Sequence, residues 1–111
     1  MNYSETDEFT KSFRRLSKKY RSLPDDLGEF KKVVSSAPLG IGKHFAVLQV
    51  EAYIKVVKAR LFCRYLRGSS LRIVYGYEED CQTITFIELY FKGEQENESR
   101  GLINSFLLKH T

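Results

Sequence analysis

The sequence predicts an α+β fold, in which an N-terminal αα-hairpin packs on a small, mainly antiparallel four-stranded sheet with a C-terminal helix. Two observations predict it: after His44 the spacing of apolar residues changes from about 3.6 to 2, and turn-forming residues divide the chain beyond His44 into short segments. The chain has 111 residues, of which 42% are hydrophobic, so it can bury one core. We therefore expect a single domain over residues 1–111.

Two amphipathic helices are predicted in the first third of the chain. The first runs from about Thr6 to Ser22 and carries its apolar residues as one stripe: Phe9, Phe13, Leu16 and Tyr20. Pro24 ends this helix and begins the next, which extends to about Val34, because proline suits a first turn that needs no amide donor. The short connection predicts a helical hairpin.

Four strands are predicted after a loop that contains Pro38, Gly40 and Gly42. Their ranges are Phe45–Val50, Ala52–Tyr65, Leu71–Tyr77 and Thr83–Phe91. The last segment, Gln95–His110, has apolar residues at helical spacing and predicts a C-terminal helix or arm.

The net charge of +4 is distributed unevenly along the chain. Residues 55–75 carry six cations and no anion, whereas residues 76–111 carry three cations and seven anions. Mixed charge serves solubility better than a block of one sign, so the basic block predicts a polyanionic partner. Nucleic acid is the commonest partner of this kind.

The alternation of side chains along a strand places much of this charge on one face of the sheet. Strict alternation along the fourth strand puts Glu88 and Tyr90 on the same side as Ile84 and Phe86. If the strands pair as consecutive antiparallel hairpins, one face collects seven polar residues: Lys58, Arg60, Arg64, Arg72, Glu88, Tyr90 and Lys92.

The sequence also excludes several classes of site and location. The two histidines have no metal-ligand spacing and no glycine-rich phosphate loop is present, so we expect no metal and no cofactor. Cys63 and Cys81 are typical of reduced thiols in an intracellular protein. The absence of an apolar span or a signal sequence predicts a cytoplasmic protein without a membrane partner.

Three segments are similar to the RelE/ParE superfamily of bacterial toxin–antitoxin systems, and to its RelE-type branch. They are Lys-Ala-Arg-Leu-Phe-Cys-Arg at 58–64, Leu-Arg-Ile-Val-Tyr at 71–75 and Phe-Ile-Glu-Leu-Tyr-Phe-Lys-Gly at 86–93. The resemblance implies a small ribonuclease that cuts messenger RNA, usually on the ribosome, and is held silent by an antitoxin. ParE-type members share the fold but act on DNA gyrase.

The resemblance also implies site residues. It matches the basic pair of the family to Lys58 and Arg60, the arginine of the third strand to Arg72, and the basic position after the last strand to Lys92. The catalytic tyrosine or histidine that many relatives place toward the C-terminus has no direct equivalent, and Tyr90 lies nearest to it.

Metal-free RNA cleavage needs a base, an acid and a cation that stabilises the phosphorane. Our hypothesis is that Arg72, with Lys58 or Arg60, holds the scissile phosphate, because a guanidinium binds two phosphate oxygens at once. Glu88 is the candidate base, with an ion pair to a neighbouring cation as its alternative role, and Tyr90 or Lys92 is the candidate acid.

Further cations are candidates for RNA binding: Arg64, Arg67, Lys18 and Lys19. The last two lie on the first helix, whose cations form either an ordinary solvated face or, in a ribosome-dependent nuclease, a contact with ribosomal RNA. Two other functions stay open on the same fold, a non-enzymatic ParE-like gyrase inhibitor and a basic nucleic-acid-binding module.

Overall fold

The structure, a computed structural model, describes residues 1–110, and the side chains of all of these except residues 68–70. This part of the chain contains three helices, five strands and one 3₁₀ turn. In chain order they are β1 (Asn2–Glu5), α1 (Asp7–Lys19), α2 (Leu23–Ser36), β2 (Phe45–Glu51), β3 (Ile54–Cys63), the 3₁₀ turn (Arg64–Leu66), β4 (Gly68–Glu78), β5 (Thr83–Phe91) and α3 (Arg100–His110). The predicted α+β class is confirmed.

The strands form one mixed sheet in the order β1-β5-β4-β3-β2. The strands β2 to β5 pair as consecutive antiparallel neighbours, and β1 pairs in parallel with β5. The predicted number of four strands is therefore wrong. The missed strand is short and polar, and it forms because the adjacent edge of β5 offers its backbone groups to β1.

Local sequence signals fix the two N-terminal helices. The Thr6 side chain caps α1 by accepting a hydrogen bond from the Phe9 amide at 3.1 Å, and Asp7 and Glu8 lie in the first turn. Pro24 lies in the first turn of α2, as predicted. The C-terminal helix begins at Arg100 rather than at Gln95.

The sheet has two buried faces, each covered by helix. The helical hairpin packs on one face, which we call the hairpin face; its buried side chains include Phe9, Leu16, Phe30, Leu61, Ile73 and Phe86. The C-terminal helix packs on the other, which we call the α3 face; its buried side chains include Ile54, Val56, Val74, Ile87, Ile103 and Phe106. None of the described helices has the length and apolar character needed to cross a membrane.

A bulge in β5 interrupts the alternation that the sequence predicts. Tyr75 pairs with Phe86 while Val74 pairs with Glu88, so Ile87 is an extra residue on β5. As a result Phe86 lies on the hairpin face, whereas Ile87 and Tyr90 belong to the α3 core. The prediction that Phe86 and Tyr90 share a face is wrong for this reason.

Candidate functional site

The pairing of β3, β4 and β5 aligns polar side chains in two neighbouring rows on the α3 face. Arg60 pairs with Arg72, and Arg72 pairs with Tyr90. One step further along the strands, Lys58 pairs with Val74, and Val74 pairs with Glu88. Adjacent strands lie about 4.8 Å apart, so these side chains surround one patch of the sheet.

Lys58 is engaged in an ion pair that the sequence does not predict. Its Nζ lies 2.7 Å from Oε1 of Glu98, and the Glu98 side chain is only 11% exposed. This hydrogen bond from Lys58 holds the pKa of Glu98 below its ordinary value, although burial acts in the opposite direction. The Arg100 guanidinium, 3.9 Å from the other carboxylate oxygen, adds to the effect.

Glu88 is buried, and both of its carboxylate oxygens accept hydrogen bonds. The Gln95 side chain donates to Oε2 at 2.7 Å, and the Ser99 amide donates to Oε1 at 2.8 Å. Ser99 in turn accepts from the Leu102 amide and so begins α3. Glu88 therefore fixes the segment 92–99 across the α3 face.

Tyr90 is 3% exposed, and its hydroxyl has no hydrogen-bond partner among the described residues. Burial raises the pKa of Tyr90 to about 12, with a further contribution from the nearby carboxylates of Glu98 and Glu88, while Arg72 opposes them. The phenol therefore stays protonated at neutral pH and presents a donor to the site.

The two arginines beside Tyr90 differ in exposure. Arg60 is exposed, whereas Arg72 is half-buried and donates from its guanidinium to the Leu71 carbonyl oxygen at 3.2 Å. Lys92 comes directly after the end of β5 and is exposed, with its Nζ donating to the carbonyl oxygen of Glu96. Lys92 thus lies against the segment 92–99 rather than in the two rows.

The structure places Arg64 away from the α3 face. Because β3 ends at Cys63, the strand alternation no longer applies, and Arg64 turns toward α2. Its Nε lies 3.1 Å from Oδ1 of Asp26, and its guanidinium also lies 3.5 Å from Asp25. Arg64 therefore joins the 3₁₀ turn to α2.

The other candidate cations do not lie in the two rows either. Arg67 is exposed in the connection between β3 and β4, where its φ of 50° is left-handed. Lys18 and Lys19 are exposed in the last turn of α1, which packs on the hairpin face. The sheet thus separates these two lysines from the polar rows.

His110 belongs to a different end of the molecule. Its Nδ1 lies 3.3 Å from Oε1 of Glu78, and its ring lies tilted by 32° against the Phe106 ring with the centroids 4.3 Å apart. Glu78 lies six positions after Arg72 on β4, a separation of about 20 Å at the usual strand rise. His110 is too far away to act with Arg72.

Glu98, Gln95 and Ser99 are site residues that sequence reasoning missed. They fall inside the predicted helix of Gln95–His110 but before Leu102, the first of its apolar residues, so the apolar spacing does not assign them to a face. The available signal is charge: Glu94, Glu96 and Glu98 alternate directly after the strand that completes the basic patch. Within the described part of the chain, no three His, Cys, Asp or Glu side chains are grouped to hold a metal ion.

An open groove of about 1060 Å³ lies between α2 and the strands β2 and β3. Its apolar lining includes Phe30, Val33, Phe45, Leu61 and Phe62. Val33 and Phe62 are 50% and 59% exposed, which is high for large apolar side chains. Asp25, Glu29 and Arg60 place charge around these side chains.

These features define a small α+β domain in which basic side chains gather on a sheet face that the segment 92–99 partly covers. Among solved structures, the chain is similar to the archaeal RelE–RelB complex from Pyrococcus horikoshii OT3. The match has a TM-score of 0.62 and 17% identity, and it covers 83% of this chain and 94% of that chain. No family model and no curated protein matches the sequence. The chain therefore has a RelE-like fold, which confirms the resemblance at the level of the fold.

Proposed function

We propose that the protein is the toxin of a type II toxin–antitoxin system and cleaves mRNA on the ribosome without a metal ion. The observation that carries this proposal is the row Arg60–Arg72–Tyr90, with Lys58 beside it, on a RelE-like sheet. Two guanidinium groups, an ammonium group and a protonated phenol supply the charge and the donors that phosphoryl chemistry on RNA needs.

Arg72 is the proposed centre of phosphate recognition. It lies between Arg60 and Tyr90 in the cross-strand row, so a phosphate against Arg72 is within reach of both. As the 2′-oxygen attacks, negative charge grows on the non-bridging oxygens, and guanidinium groups beside the phosphate stabilise that charge more than they stabilise the ground state.

Tyr90 is the proposed acid, since its pKa of about 12 keeps the proton available for the 5′-oxygen that leaves. Lys92, the other acid proposed from the sequence, lies outside the two rows. Glu88 is 5% exposed, so its role as base requires the segment 92–99, which it binds through Gln95 and Ser99, to move aside. While both bonds are made, Glu88 positions the segment 92–99.

The proposed partners are mRNA, the ribosome and a cognate antitoxin protein in the cytoplasm. Arg67, Lys18 and Lys19 are exposed and available to ribosomal RNA, whereas Arg64 must share its charge with Asp26. The solved structure that the chain resembles is a RelE–RelB complex, which supports a protein partner for this chain. The groove beside α2 is the proposed antitoxin surface, because an apolar helix face fits its exposed Val33 and Phe62.

Induced expression in a bacterial host tests the enzymatic proposal. We expect the wild type to arrest growth and to produce discrete mRNA cuts, mapped by primer extension, and Arg72→Ala to lose both. Arg14→Ala is the matched control, because Arg14 lies on α1 outside the site. Arg72→Ala must also keep the wild-type far-UV circular dichroism, which excludes loss by unfolding.

Other outcomes of this experiment identify the alternatives. Growth arrest without mRNA cuts contradicts the ribonuclease and favours a ParE-like action on gyrase. Absence of arrest by the folded wild type favours a nucleic-acid-binding module. Arrest and cuts that persist in Arg72→Ala contradict the role of Arg72.

Co-expression tests the antitoxin surface. The protein encoded by the neighbouring reading frame is expected to suppress growth arrest by the wild type but not by Val33→Asp, because a charge in the groove opposes apolar docking. Val47→Asp is the control, since Val47 is 48% exposed on β2 and does not line the groove. Equal suppression of all three proteins would contradict this location.

A further inference from the structure

The segment 92–99 contacts two residues of the site that the proposed function needs open, Lys58 and Glu88. It contains Glu94, Glu96 and Glu98, and the two carboxylate oxygens of Glu88 hold it at Gln95 and at Ser99. Of its three glutamates, Glu98 reaches a cation of the two rows, Lys58, whereas Glu94 pairs with Arg15 on α1.

The Lys58–Glu98 pair is unlike an ordinary surface ion pair. The two side chains are 25% and 11% exposed, and the Nζ–Oε1 distance of 2.7 Å is typical of a charge-assisted hydrogen bond. Exposed ion pairs contribute little to stability because water screens their charges. In a shielded pair of this length, Glu98 neutralises the charge of Lys58 that an incoming anion would otherwise contact.

We propose that the Glu98 carboxylate occupies the position of an RNA phosphate on Lys58, so that RNA binds the α3 face only by displacing Glu98. This inference rests on the proposed function and deepens it, because it adds competition between Glu98 and the RNA for Lys58. A carboxylate resembles a phosphate in presenting anionic oxygens to an ammonium group. A phosphate that approached Lys58 while Glu98 stayed in place would be repelled by the Glu98 carboxylate, which lies 2.7 Å from the Lys58 Nζ.

The Tyr90 hydroxyl gives an independent reason to place a ligand here. The residue is only 3% exposed and lies near Glu98, and its hydroxyl has no hydrogen-bond partner among the described residues, although a buried hydroxyl ordinarily has one. Glu98 accepts from Lys58 and leaves the phenol without a bond. A phosphate in its place presents more acceptor oxygens and can accept from both Lys58 and Tyr90.

Binding of a short single-stranded RNA tests the proposal. The probe carries 2′-O-methyl groups, which block the attacking oxygen and prevent cleavage, and its affinity is measured by fluorescence anisotropy. We expect Glu98→Gln to bind this probe about tenfold more tightly than the wild type, because Lys58 no longer has an anionic competitor.

Glu96→Gln is the matched control. It removes the same charge from the same segment, but Glu96 is exposed, so we expect less than about a twofold change. A second control repeats Glu98→Gln in a Lys58→Gln background. There we expect Glu98→Gln to increase RNA affinity by less than about twofold, because the Lys58 ammonium group that it would release is absent. Thermal unfolding verifies that every variant is folded.

Three outcomes overturn the inference. The first is equal affinity of the wild type and Glu98→Gln; the second is an equal gain from Glu96→Gln; the third is a gain that persists without Lys58. If no variant binds RNA, the proposed function fails and this inference with it, whereas RNA binding by the wild type with no gain in Glu98→Gln overturns this inference alone.

A measurement on the wild type does not depend on how any variant folds. The backbone amide signals of Glu98 and Ser99 are followed by NMR as the RNA probe is added, with Asp25 at the far side of the sheet as reference. Displacement of Glu98 predicts shifts at Glu98 and Ser99 that saturate with RNA binding. Bound RNA without a change at Glu98 overturns the proposal.

Discussion

The Tyr90 hydroxyl is buried without a partner among the described residues, a state that costs about 1–3 kcal/mol. Phenylalanine keeps the ring in the α3 core and removes that cost. We therefore expect Tyr90→Phe to raise the free energy of unfolding by about 1 kcal/mol and to lower mRNA cleavage about 100-fold, the range for loss of a general acid. Urea unfolding and cleavage on programmed ribosomes measure the two effects.

Tyr77→Phe is the matched control for that prediction. Tyr77 is also buried, but its hydroxyl accepts a hydrogen bond from Gln82 at 3.0 Å, so its removal is expected to destabilise the fold slightly and to leave cleavage unchanged. A Tyr90→Phe protein that is less stable than the wild type and fully active would contradict the assignment of Tyr90 to the site.

The same residues show how far sequence reasoning reaches. The shared face of Lys58, Arg60 and Arg72 follows from alternation, because β3 and β4 pair in regular register over these positions. Glu98 does not follow, since its position depends on a hydrogen bond from the Ser99 amide to Glu88 rather than on a repeating pattern.

Among the elements, α2 is joined to the 3₁₀ turn through the buried carboxylate of Asp26. Its oxygens accept from the Ser22 hydroxyl at 2.7 Å and from the backbone and side chain of Arg64 at 3.2 and 3.1 Å. We expect Asp26→Asn to lower the free energy of unfolding by about 2 kcal/mol at neutral pH, because bonds to a charged acceptor are lost. Asp25→Asn is the control, since the Asp25 side chain is 84% exposed.

The loss of unfolding free energy in Asp26→Asn depends on pH, and the pKa of Asp26 determines the sign of this dependence. Burial alone raises the pKa of Asp26, but hydrogen bonds from Ser22, Cys63 and Arg64 prevail, and the folded-state pKa lies below its ordinary value. The stabilisation is then complete above the unfolded-state pKa of about 3.9 and is lost as the pH falls through the folded-state value. Urea titrations from about pH 7 to about pH 3 should show that the difference in free energy of unfolding between the wild type and Asp26→Asn decreases below about pH 4. A difference that stays constant over this range would contradict the charged network of Asp26.

Element boundaries separate what local sequence determines from what tertiary contacts determine. The N-terminal boundaries of α1 and α2 follow from Thr6 and Pro24, which act within the first turn of each helix. The strand β1 has no such signal and forms because it pairs with β5, which is distant in the sequence. Likewise α3 begins at Arg100 because Ser99 is fixed by Glu88 on β5.

At the scale of the whole molecule, one sheet supports two separate cores. The strands β3, β4 and β5 contribute side chains to both the hairpin face and the α3 face. If the helix or helices that cover one face detach, the strands that also form the other core become exposed to water and lose packing contacts. The arrangement predicts that the two cores unfold as one cooperative unit.

Phe106→Ala tests this coupling, because Phe106 is 2% exposed in the α3 core and packs where Gly76 has no side chain. A Cβ at Gly76 would lie 2.5 Å from the Phe106 ring, so the ring rests directly on β4. We expect the substitution to lower the free energy of unfolding by about 3 kcal/mol, whereas Leu108→Ala, at an 82% exposed position, changes it by less than about 0.5 kcal/mol.

Far-UV circular dichroism reports all helices, and fluorescence of the seven tyrosines reports mainly the sheet and the hairpin face. Coincident urea transitions for the two signals in Phe106→Ala support one cooperative unit; an earlier transition in the dichroism alone would show that α3 detaches from an intact sheet.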